Sequence, residues 1–288
     1  MRGDHEEDRL AIIGAGVMGT GIAAMALGYG ASVVLVDISE AVLADSRASI
    51  GRQLRHAQLM GALPPGRAVG TLSTTTSIGD AAGATAVIEA VTEDAAVKGK
   101  VLSALSCVLA AGTPLISNTS SIPIEELAGS VKRPEELAGA HFMNPTYLVK
   151  MTELIRGPLT SDATVQAVVS LLDGWERRTI VVRDAPGFVT SRLLHPMIND
   201  AARLVGDGTA TVEAVDKLME GCLGHPTGPL RTADLIGLDN LADSLRVLSE
   251  RTGIDRYWPC GLLLTKVGEG NLGRKSGRGF YDYGESLS

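Results

Sequence analysis

The chain has 288 residues, of which 26 are Lys or Arg and 33 are Asp or Glu, and its formal net charge is −7. This length allows a large core and suggests one or two domains, of which we favour two. The acidic balance and the lack of long basic tracts argue against nucleic acid or an anionic membrane as a partner.

No apolar run is long enough for a membrane helix, and the N-terminal segment is acidic and lacks an apolar core, so we expect a soluble, cytosolic protein. The three cysteines, Cys107, Cys222 and Cys260, are far apart and show no CxxC spacing. They indicate neither a disulfide framework nor a metal site, and we interpret them as small apolar filler.

The first part of the chain has the pattern of an α/β domain. Apolar runs at 9–13 and 32–36 predict buried parallel strands, and the Ala-rich segment 17–29 predicts the helix between them. Ser39 is a candidate N-cap for a helix that continues to about Met60. Further β-like runs alternate with helical segments, the strands at 86–89, 114–117, 137–142 and 179–182 and the helices at 94–111 and 161–175. The pattern predicts a Rossmann-type, mostly parallel sheet over residues 1–185.

The texture changes after Asp184-Ala185-Pro186-Gly187. Strand-like runs stop, and apolar residues recur at spacings of three and four. We therefore predict an all-helical domain over 186–288. Gly and Pro divide it into short helices with a modest core, which docking on a partner subunit would enlarge.

A glycine-rich loop follows the first predicted strand and opens the first helix. It fits G-x-G-x-x-G, with the residues Gly14, Ala15, Gly16, Val17, Met18 and Gly19. Gly14 allows a tight turn, Gly16 lets the backbone approach a pyrophosphate, and Gly19 permits close helix packing. The N-terminus of the helix offers N–H groups to the anion. The alternative is a glycine-rich turn without a ligand.

Asp37 lies 18 residues after the last glycine of this loop, at the end of the second predicted strand. A carboxylate there accepts hydrogen bonds from the adenosine ribose hydroxyls. It would repel a 2′-phosphate, and the residues that follow supply no arginine. We therefore expect NAD rather than NADP as the cofactor.

His141 and Glu153 are candidates for the chemistry. Oxidising an alcohol by hydride loss requires a base, and a neutral imidazole is suitable near pH 7 if a second group fixes its tautomer and stabilises the imidazolium. His141 lies near the end of the predicted strand 137–142, and Glu153 lies in the next apolar run. We predict that the chain turns at Asn144-Pro145 and returns so that the two side chains meet. The alternative is a structural histidine and an unrelated surface glutamate.

Several spaced motifs together resemble the 3-hydroxyacyl-CoA dehydrogenase family over nearly the whole chain. The matching segments are IIGAGVMGTGIA, VIEAVTEDAAVK, SNTSSIPI, GAHFMNP with its downstream glutamate, DAPGFV, GHPTGPL with DLIGLD, and GRKSGRGFYDY. The resemblance implies that His141 is the catalytic base and that Glu153 supports it. It also implies an (S)-3-hydroxyacyl thioester as substrate and a homodimer formed through the C-terminal helices.

The resemblance also suggests roles for five further residues. Ser120 would lie near the nicotinamide and the substrate oxygen, and Asn144 would orient the reacting groups. Glu93, Lys98 and Lys275 would contact NAD. Turn capping is the alternative for Ser120 and Asn144, and a solvated surface position is the alternative for the other three. The remaining histidines, which show no partner pattern, are expected to be structural or exposed, namely His5, His56, His195 and His225.

Two departures from the family bear on the substrate. Ser191 stands where the family usually has an asparagine that positions the substrate, so we expect an altered pocket. Gln53 and Met60 stand where members that use coenzyme A often have a serine and a lysine, although Arg52 and Arg55 on the same predicted helix are possible substitutes. These changes suggest a short, polar acyl group on an acyl carrier protein, as in polyketide extender-unit biosynthesis. An acidic carrier requires a basic patch, for which the candidates are Arg52, Arg55, Lys132 and Arg133. The alternative for each of them, which we favour, is an ordinary solvated surface position.

Two competing interpretations remain. The related β-hydroxyacid dehydrogenases share a similar glycine loop and a helical second domain, but they act on free acids with a lysine. A non-enzymatic, NAD-binding structural protein is the other. Retention of an acid–base pair at His141 and Glu153 counts against both.

Overall fold

The computed structural model describes residues 9–284, and the chain forms two compact units that divide between Ala185 and Pro186. His5 lies outside the described residues. The first unit contains eight strands, β1 (Arg9–Ile13), β2 (Ser32–Val36), β3 (Leu72–Thr75), β4 (Ala86–Glu89), β5 (Leu115–Ser117), β6 (Leu137–His141), β7 (Met151–Arg156) and β8 (Arg178–Arg183). Its helices are α1 (Val17–Gly28), α2 (Glu40–Leu59), α3 (Ala95–Val108), α4 (Ile124–Ala128) and α5 (Asp162–Gly174).

All eight strands form one sheet in the order β3-β2-β1-β4-β5-β6-β7-β8. The strands from β3 to β6 are parallel, and β7 is antiparallel to β6. The chain leaves β1 toward β2 on one side and later returns to β4 on the other, so the strand order reverses between β1 and β4. In such sheets the crevice beyond the ends of the strands at this point is where ligands bind.

Helix capping and burial explain why the helices form where they do. The side chains of Ser39, Asp94 and Ser161 accept hydrogen bonds from N–H groups in the first turns of α2, α3 and α5. Helix α1 is buried along most of its length, as its Ala-rich sequence requires, whereas α2 buries only one stripe. The predicted cap at Ser39 is confirmed.

The helices cover both faces of the sheet. Apolar side chains of α1, α2 and α5 share one core cluster with side chains from the sheet. Helix α3 packs with α4. Strands β4 and β5 lie on one side of β1 in the sheet, and β2 and β3 lie on the other side. Right-handed crossovers therefore place α3 on the face opposite to α1.

The second unit is helical. It contains α6 (Thr190–Gly206), α7 (Val212–Leu223), α8 (Pro229–Ile236), α9 (Leu238–Thr252) and α10 (Gly261–Gly268), and these helices enclose their own apolar core. Between Pro186 and Gly284 the structure has isolated β-bridges but no strand. The prediction of a Rossmann-type sheet followed by a helical domain is confirmed.

Two buried aspartates hold the C-terminal segment on this helical unit. Asp216 accepts the N–H groups of Leu230 and Arg231 at the start of α8, and it also accepts the hydroxyl of Tyr281 at 2.8 Å. Asp234 accepts the N–H groups of Phe280 and Tyr281. The apolar-filler interpretation is correct only for Cys260, since Cys107 and Cys222 are exposed. Within residues 9–284, no helix has the length and apolar character needed to cross a bilayer.

Candidate active site

The glycine loop between β1 and α1 has the geometry that a pyrophosphate requires. Gly14 has φ +101°, and a Cβ there would lie 2.6 Å from the carbonyl oxygen of Ala90. A Cβ on Gly19 would overlap the carbonyl oxygen of Gly14, whereas a Cβ on Gly16 would meet no described atom within 4 Å beyond its own chain neighbours. Val17 is exposed and Met18 half-buried at the first turn of α1. The backbone is therefore approachable at the N-terminus of this helix.

Asp37 supports this loop directly. Its Oδ2 accepts the N–H of Ala15 at 2.8 Å, and its Oδ1 accepts the N–H of Ser39 at 3.0 Å. The carbonyl oxygen of Ala15 accepts the hydroxyls of Thr20 at 2.9 Å and Ser46 at 2.8 Å. The peptide unit before Ala15 is thus fixed by Asp37, and the peptide unit after it is fixed by Thr20 and Ser46. Sequence reasoning missed Thr20 and Ser46, because small hydroxyls on buried helical faces carry no motif.

His141 and Glu153 lie directly opposite each other on β6 and β7. Their side chains are 11% and 6% exposed, and His141 Nδ1 lies 3.3 Å from Glu153 Oε2. With Nδ1–H facing the carboxylate, Nε2 is the basic nitrogen of the neutral ring. The structure therefore brings the two side chains together, through a strand, β7, that the sequence pattern does not predict.

Ser120 lies in a turn that follows β5. Glu93 Oε1 accepts the N–H groups of Ser120 at 2.8 Å and Ser121 at 3.0 Å, as well as the hydroxyl of Thr119 at 2.6 Å. The hydroxyl of Ser120 also lies 3.2 Å from this oxygen. A single oxygen of Glu93 therefore holds the turn in place by accepting all of these hydrogen bonds.

The turn that carries Ser120 is also hydrogen-bonded to the chain segment that carries His141. Asn118 Oδ1 accepts the N–H of Phe142 at 3.2 Å, one residue after His141. Strands β5 and β6 are parallel neighbours, with Ser117 paired with Gly139. The Ser120 turn and His141 therefore lie at the same edge, where β1, β4, β5 and β6 end; we call it the carboxyl edge.

Lys98 is fully buried between two carboxylates. Its Nζ lies 2.8 Å from Glu89 Oε1 and 3.3 Å from Glu93 Oε2. A third contact, at 3.4 Å, is with the carbonyl oxygen of Val91. The alternative of a solvated surface position is therefore wrong for Lys98. Sequence reasoning missed Glu89, which looks like the end of an apolar strand.

Glu93 has a lowered pKa. Burial raises the pKa of its carboxyl, but the ammonium of Lys98 and the bonds from Thr119, Ser120 and Ser121 outweigh burial. About a quarter of the side chain, 26%, remains exposed. Glu93 is therefore a carboxylate at neutral pH, and it is the member of this group that reaches the surface.

Three predicted site residues, Asn144, Lys275 and Ser191, take no part in the contacts described above. Asn144 is exposed in the loop between β6 and β7, before a cis peptide bond to Pro145. Lys275 belongs to the second unit, where its Nζ lies 2.6 Å from Asp239 Oδ2. Ser191 is buried in the first turn of α6, also in the second unit.

Two of the remaining histidines have polar partners that the sequence did not indicate. His56 Nδ1 lies 2.8 Å from the hydroxyl of Tyr147, and His195 Nδ1 lies 2.7 Å from the hydroxyl of Ser244. His56 thereby contacts the loop that carries Asn144. His225 is half-buried.

The four basic residues proposed for a carrier-protein patch do not form one surface. Arg52 and Arg55 are exposed on α2, on one face of the sheet. Lys132 and Arg133 follow α4, on the opposite face. Arg133 is also engaged, since it donates to Glu136 at 2.7 Å and to the carbonyl oxygen of Leu109 at 2.9 Å. The four candidates therefore divide between two faces of the sheet, which linear spacing does not reveal.

A glycine loop at the point where the strand order reverses, with an imidazole–carboxylate pair at the same edge, defines a dinucleotide-dependent oxidoreductase. Residues 9–185 match the family described as "3-hydroxyacyl-CoA dehydrogenase, NAD binding domain". Residues 187–283 match the family described as "3-hydroxyacyl-CoA dehydrogenase, C-terminal domain".

Individual relatives agree with these matches. The chain is 38% identical over 286 residues to a probable 3-hydroxybutyryl-CoA dehydrogenase of Bacillus subtilis, covering 98% of this chain and 100% of the relative. It is 39% identical over 278 residues to the 3-hydroxybutyryl-CoA dehydrogenase of Bradyrhizobium diazoefficiens, covering 96% and 95%. The crystal structure of FadB2 from M. tuberculosis superposes with a TM-score of 0.91 at 38% identity, covering 96% of this chain and 99% of that one. The crystal structure of the (S)-3-hydroxybutyryl-CoA dehydrogenase PaaH1 from Ralstonia eutropha superposes with a TM-score of 0.85 at 37% identity, covering 96% of this chain and 99% of that one.

The chain therefore belongs to the 3-hydroxyacyl-CoA dehydrogenase family and is an NAD-dependent oxidoreductase.

Proposed function

We propose that the chain interconverts the C3 alcohol and ketone of a short (S)-3-hydroxyacyl thioester, with 3-hydroxybutyryl-CoA as the substrate and NAD as the cofactor. The observation that carries this proposal is the buried contact of His141 with Glu153 at the carboxyl edge. The names of the Bacillus and Bradyrhizobium relatives support the four-carbon acyl chain.

His141 acts as the base in the direction of alcohol oxidation. Its Nε2 takes the proton of the C3 hydroxyl while Nδ1 remains held by Glu153, whose negative charge stabilises the imidazolium. In the reverse direction the same nitrogen returns the proton to the ketone oxygen. NAD, when bound, supplies the hydride acceptor. The Ser120 hydroxyl, which donates to Glu93 Oε1 at 3.2 Å in this structure, would turn to donate to the substrate oxygen. Asn144 would orient the reacting groups.

The residues at the carboxyl edge fit NAD. The open backbone at Gly16 and the first turn of α1, with Val17 and Met18, would receive the pyrophosphate, while Gly14 and Gly19 set the close approach of loop and helix. Asp37 would bind the adenosine ribose. Glu93 would contact the nicotinamide half together with Ser120 and Asn144. Lys275 remains a proposed contact of NAD. Because Lys98 is fully enclosed, it acts through Glu93.

Turnover of a defined thioester tests this proposal. Acetoacetyl-CoA with NADH, and separately the (S) and (R) forms of 3-hydroxybutyryl-CoA with NAD, are followed at the NADH absorbance band. We expect oxidation of the (S) form, no oxidation of the (R) form, and a higher kcat/KM with NAD than with NADP. Lack of turnover with every thioester, or equal use of both enantiomers, would contradict the proposal.

A second candidate is the same reaction on a short, polar acyl group bound to an acyl carrier protein, as in the biosynthesis of polyketide extender units. It is favoured by Gln53 and the exposed Met60 at positions where relatives that use coenzyme A often carry a serine and a lysine. Of the four basic residues considered for the carrier-protein patch, Arg52 and Arg55 lie together on α2 and are the pair that this second candidate function would use. One hydroxyacyl chain presented on both carriers decides, since an equal or higher kcat/KM with CoA would exclude the carrier protein.

We also propose a cytosolic homodimer. Exposed apolar side chains on the helices of the second unit, such as Leu193, Leu218 and Leu223, support a contact between subunits. Light scattering after size-exclusion chromatography measures the mass directly. A monomer at micromolar concentration would contradict this part of the proposal.

A further inference from the structure

Glu89 is a buried acid that the reaction proposed above does not use. It is the last residue of β4, and neither its side chain nor that of Lys98 is exposed. Glu93, the second partner of Lys98, is partly exposed. The three charges thus form a row that runs from a fully enclosed carboxylate to one at the surface.

The position of Glu89 in the sheet is central. It is paired with Ile13 on β1, immediately before the glycine loop, and with Ser117 on β5, three residues before Ser120. It therefore ends its strand at the point where the strand order reverses and where a dinucleotide is expected.

Both carboxylate oxygens of Glu89 are engaged. Oε1 accepts the ammonium of Lys98 at 2.8 Å and the N–H of Val91 at 2.7 Å. Oε2 accepts the hydroxyl of Ser117 at 2.6 Å. These three donors fix the plane of the carboxylate, so that Lys98 is held on the side that faces Glu93.

Stability alone is a weak reason for such an arrangement. Burying a carboxylate and an ammonium costs desolvation free energy that their attraction often only offsets, and apolar residues of similar volume are frequently as stable. A buried ion pair does, however, fix geometry, because each charge has few alternative partners. A role in orientation is therefore the better physical account.

We propose that Glu89 is a positioning residue that sets the place of Ser120 through Lys98 and Glu93. Glu89 directs the ammonium of Lys98 to Oε2 of Glu93, at 3.3 Å. Oε1 of Glu93 then accepts the bonds that form the Ser120 turn. Without the charge of Glu89, Lys98 has Glu93 as its one remaining anionic partner among the described residues, and Glu93 moves toward it, away from the turn. The inference rests on the proposed function for its catalytic consequence.

The substitution Glu89→Gln keeps the volume and removes the charge. Its matched control is Glu136→Gln, the same chemical change in a carboxylate that binds Arg133 at 2.7 Å and the N–H of Gly112 at 2.6 Å, at the opposite edge of the sheet. With acetoacetyl-CoA and NADH, we expect Glu89→Gln to lower kcat between about tenfold and 100-fold, as misplacing a group at the reacting centre does. Glu136→Gln should stay within about twofold.

A double-mutant cycle with Ser120→Ala separates positioning from a general loss of structure. If Glu89 acts through Ser120, Glu89→Gln lowers kcat by less than about twofold in the Ser120→Ala background, because coupled residues are not additive. An equal fold loss in both backgrounds would overturn the inference, and so would an unchanged kcat in the single variant.

A readout that needs no turnover keeps this inference separate from the proposed function. Hydrogen exchange, measured by mass spectrometry on the peptide that spans residues 118–122, should speed up in Glu89→Gln and not in Glu136→Gln. Unchanged exchange would overturn the positioning role even in an active enzyme. If the wild type turns over no thioester, the proposed function fails, and the exchange data alone still decide about Glu89.

The milder substitution Ser117→Ala serves if Glu89→Gln does not fold. It removes the donor to Oε2 of Glu89 and leaves the ion pair with Lys98 intact. We expect faster exchange over residues 118–122 and a smaller loss of kcat in the same direction. Wild-type behaviour in both measurements would then count against the role of Glu89.

Discussion

His141 and Glu153 stand opposite each other across two antiparallel strands, and the sheet itself sets the 3.3 Å separation of their side chains. Side chains at directly opposite positions of an antiparallel pair project on the same face. The contact therefore depends on the register of β6 and β7 rather than on the loop that joins them. Any change in that register would separate the two groups.

His141→Ala removes the proposed base. We expect kcat for oxidation of the (S)-3-hydroxyacyl thioester to fall by about two to four orders of magnitude, the usual contribution of general-base catalysis. NAD affinity, measured by calorimetry, should remain close to that of the wild type, because the imidazole is not among the proposed cofactor contacts. Near-wild-type turnover would show that the base lies elsewhere.

Glu153→Gln keeps the shape of the partner and removes its charge. The amide still fixes the ring through one hydrogen bond, but it no longer stabilises the imidazolium that forms when His141 takes the proton. We expect a lower kcat with a smaller loss than in His141→Ala, measured under the same conditions. If Glu153→Gln has no effect, the carboxylate is structural.

Much of this site can be predicted from the sequence. The parts that cannot be predicted have one physical cause in common. The glycine loop, Asp37 and the turn between His141 and Glu153 are local patterns, in which spacing alone fixes what the chain must do. The sequence pattern does not predict strand β7, because MTELIR mixes apolar residues with charged and polar ones. Its pairing with β6 is what makes it a strand.

Non-local pairings account for the other differences. Glu89 and Lys98 lie nine residues apart, on a strand and on a helix, so no helical or strand period links them. Likewise, the spacing of Arg52 and Lys132 cannot show that their helices cover opposite faces of the sheet. That information comes from the strand order.

Asp37→Ala tests the cofactor assignment. We expect a higher KM for NAD and weaker discrimination against NADP, because the carboxylate that repels a 2′-phosphate is removed. Asp37 also holds the N–H of Ala15, so Ser46→Ala is the control. It loses the hydroxyl's bonds to the carbonyl oxygens of Ala15 and Val42 and its contact with the hydroxyl of Thr20, but no carboxylate. The control should weaken NAD binding without changing the ratio of kcat/KM for NAD to kcat/KM for NADP. An unchanged ratio in Asp37→Ala would remove the reason for choosing NAD.

Glu93 should make the stability of the first unit depend on pH. Burial raises the pKa of its carboxyl, but Lys98 and the turn lower it further, so the folded pKa lies below the unfolded value. An acid of this kind contributes its stability above the unfolded pKa, which is about 4.3 for Glu, and loses it as the pH falls through the folded pKa. Urea unfolding at neutral pH and near pH 3 should therefore show a larger drop for the wild type than for Glu93→Gln. Equal drops would contradict the assigned direction.

Arg177 is the most deeply buried arginine near the site, and its loss should be costly. Its guanidinium donates to the carbonyl oxygens of Thr146 at 3.0 Å and Val149 at 3.2 Å, in the loop that carries Asn144, and to the hydroxyl of Tyr29 at 3.1 Å. Arg177→Met fills a similar volume but leaves these acceptors without their donor, which costs about 1–3 kcal/mol for each buried group that stays unpaired.

The adjacent residue supplies the control for this prediction. Arg178 is exposed, and Arg178→Met should change the free energy of unfolding by less than about 0.5 kcal/mol, as is usual for surface positions. Denaturant unfolding of both variants gives the comparison. Because the loop loses its anchor, Arg177→Met should also lower kcat more than Arg178→Met does. Equal stability of the two variants would mean that water or a backbone shift satisfies the loop carbonyls, and that Arg177 does not hold the loop.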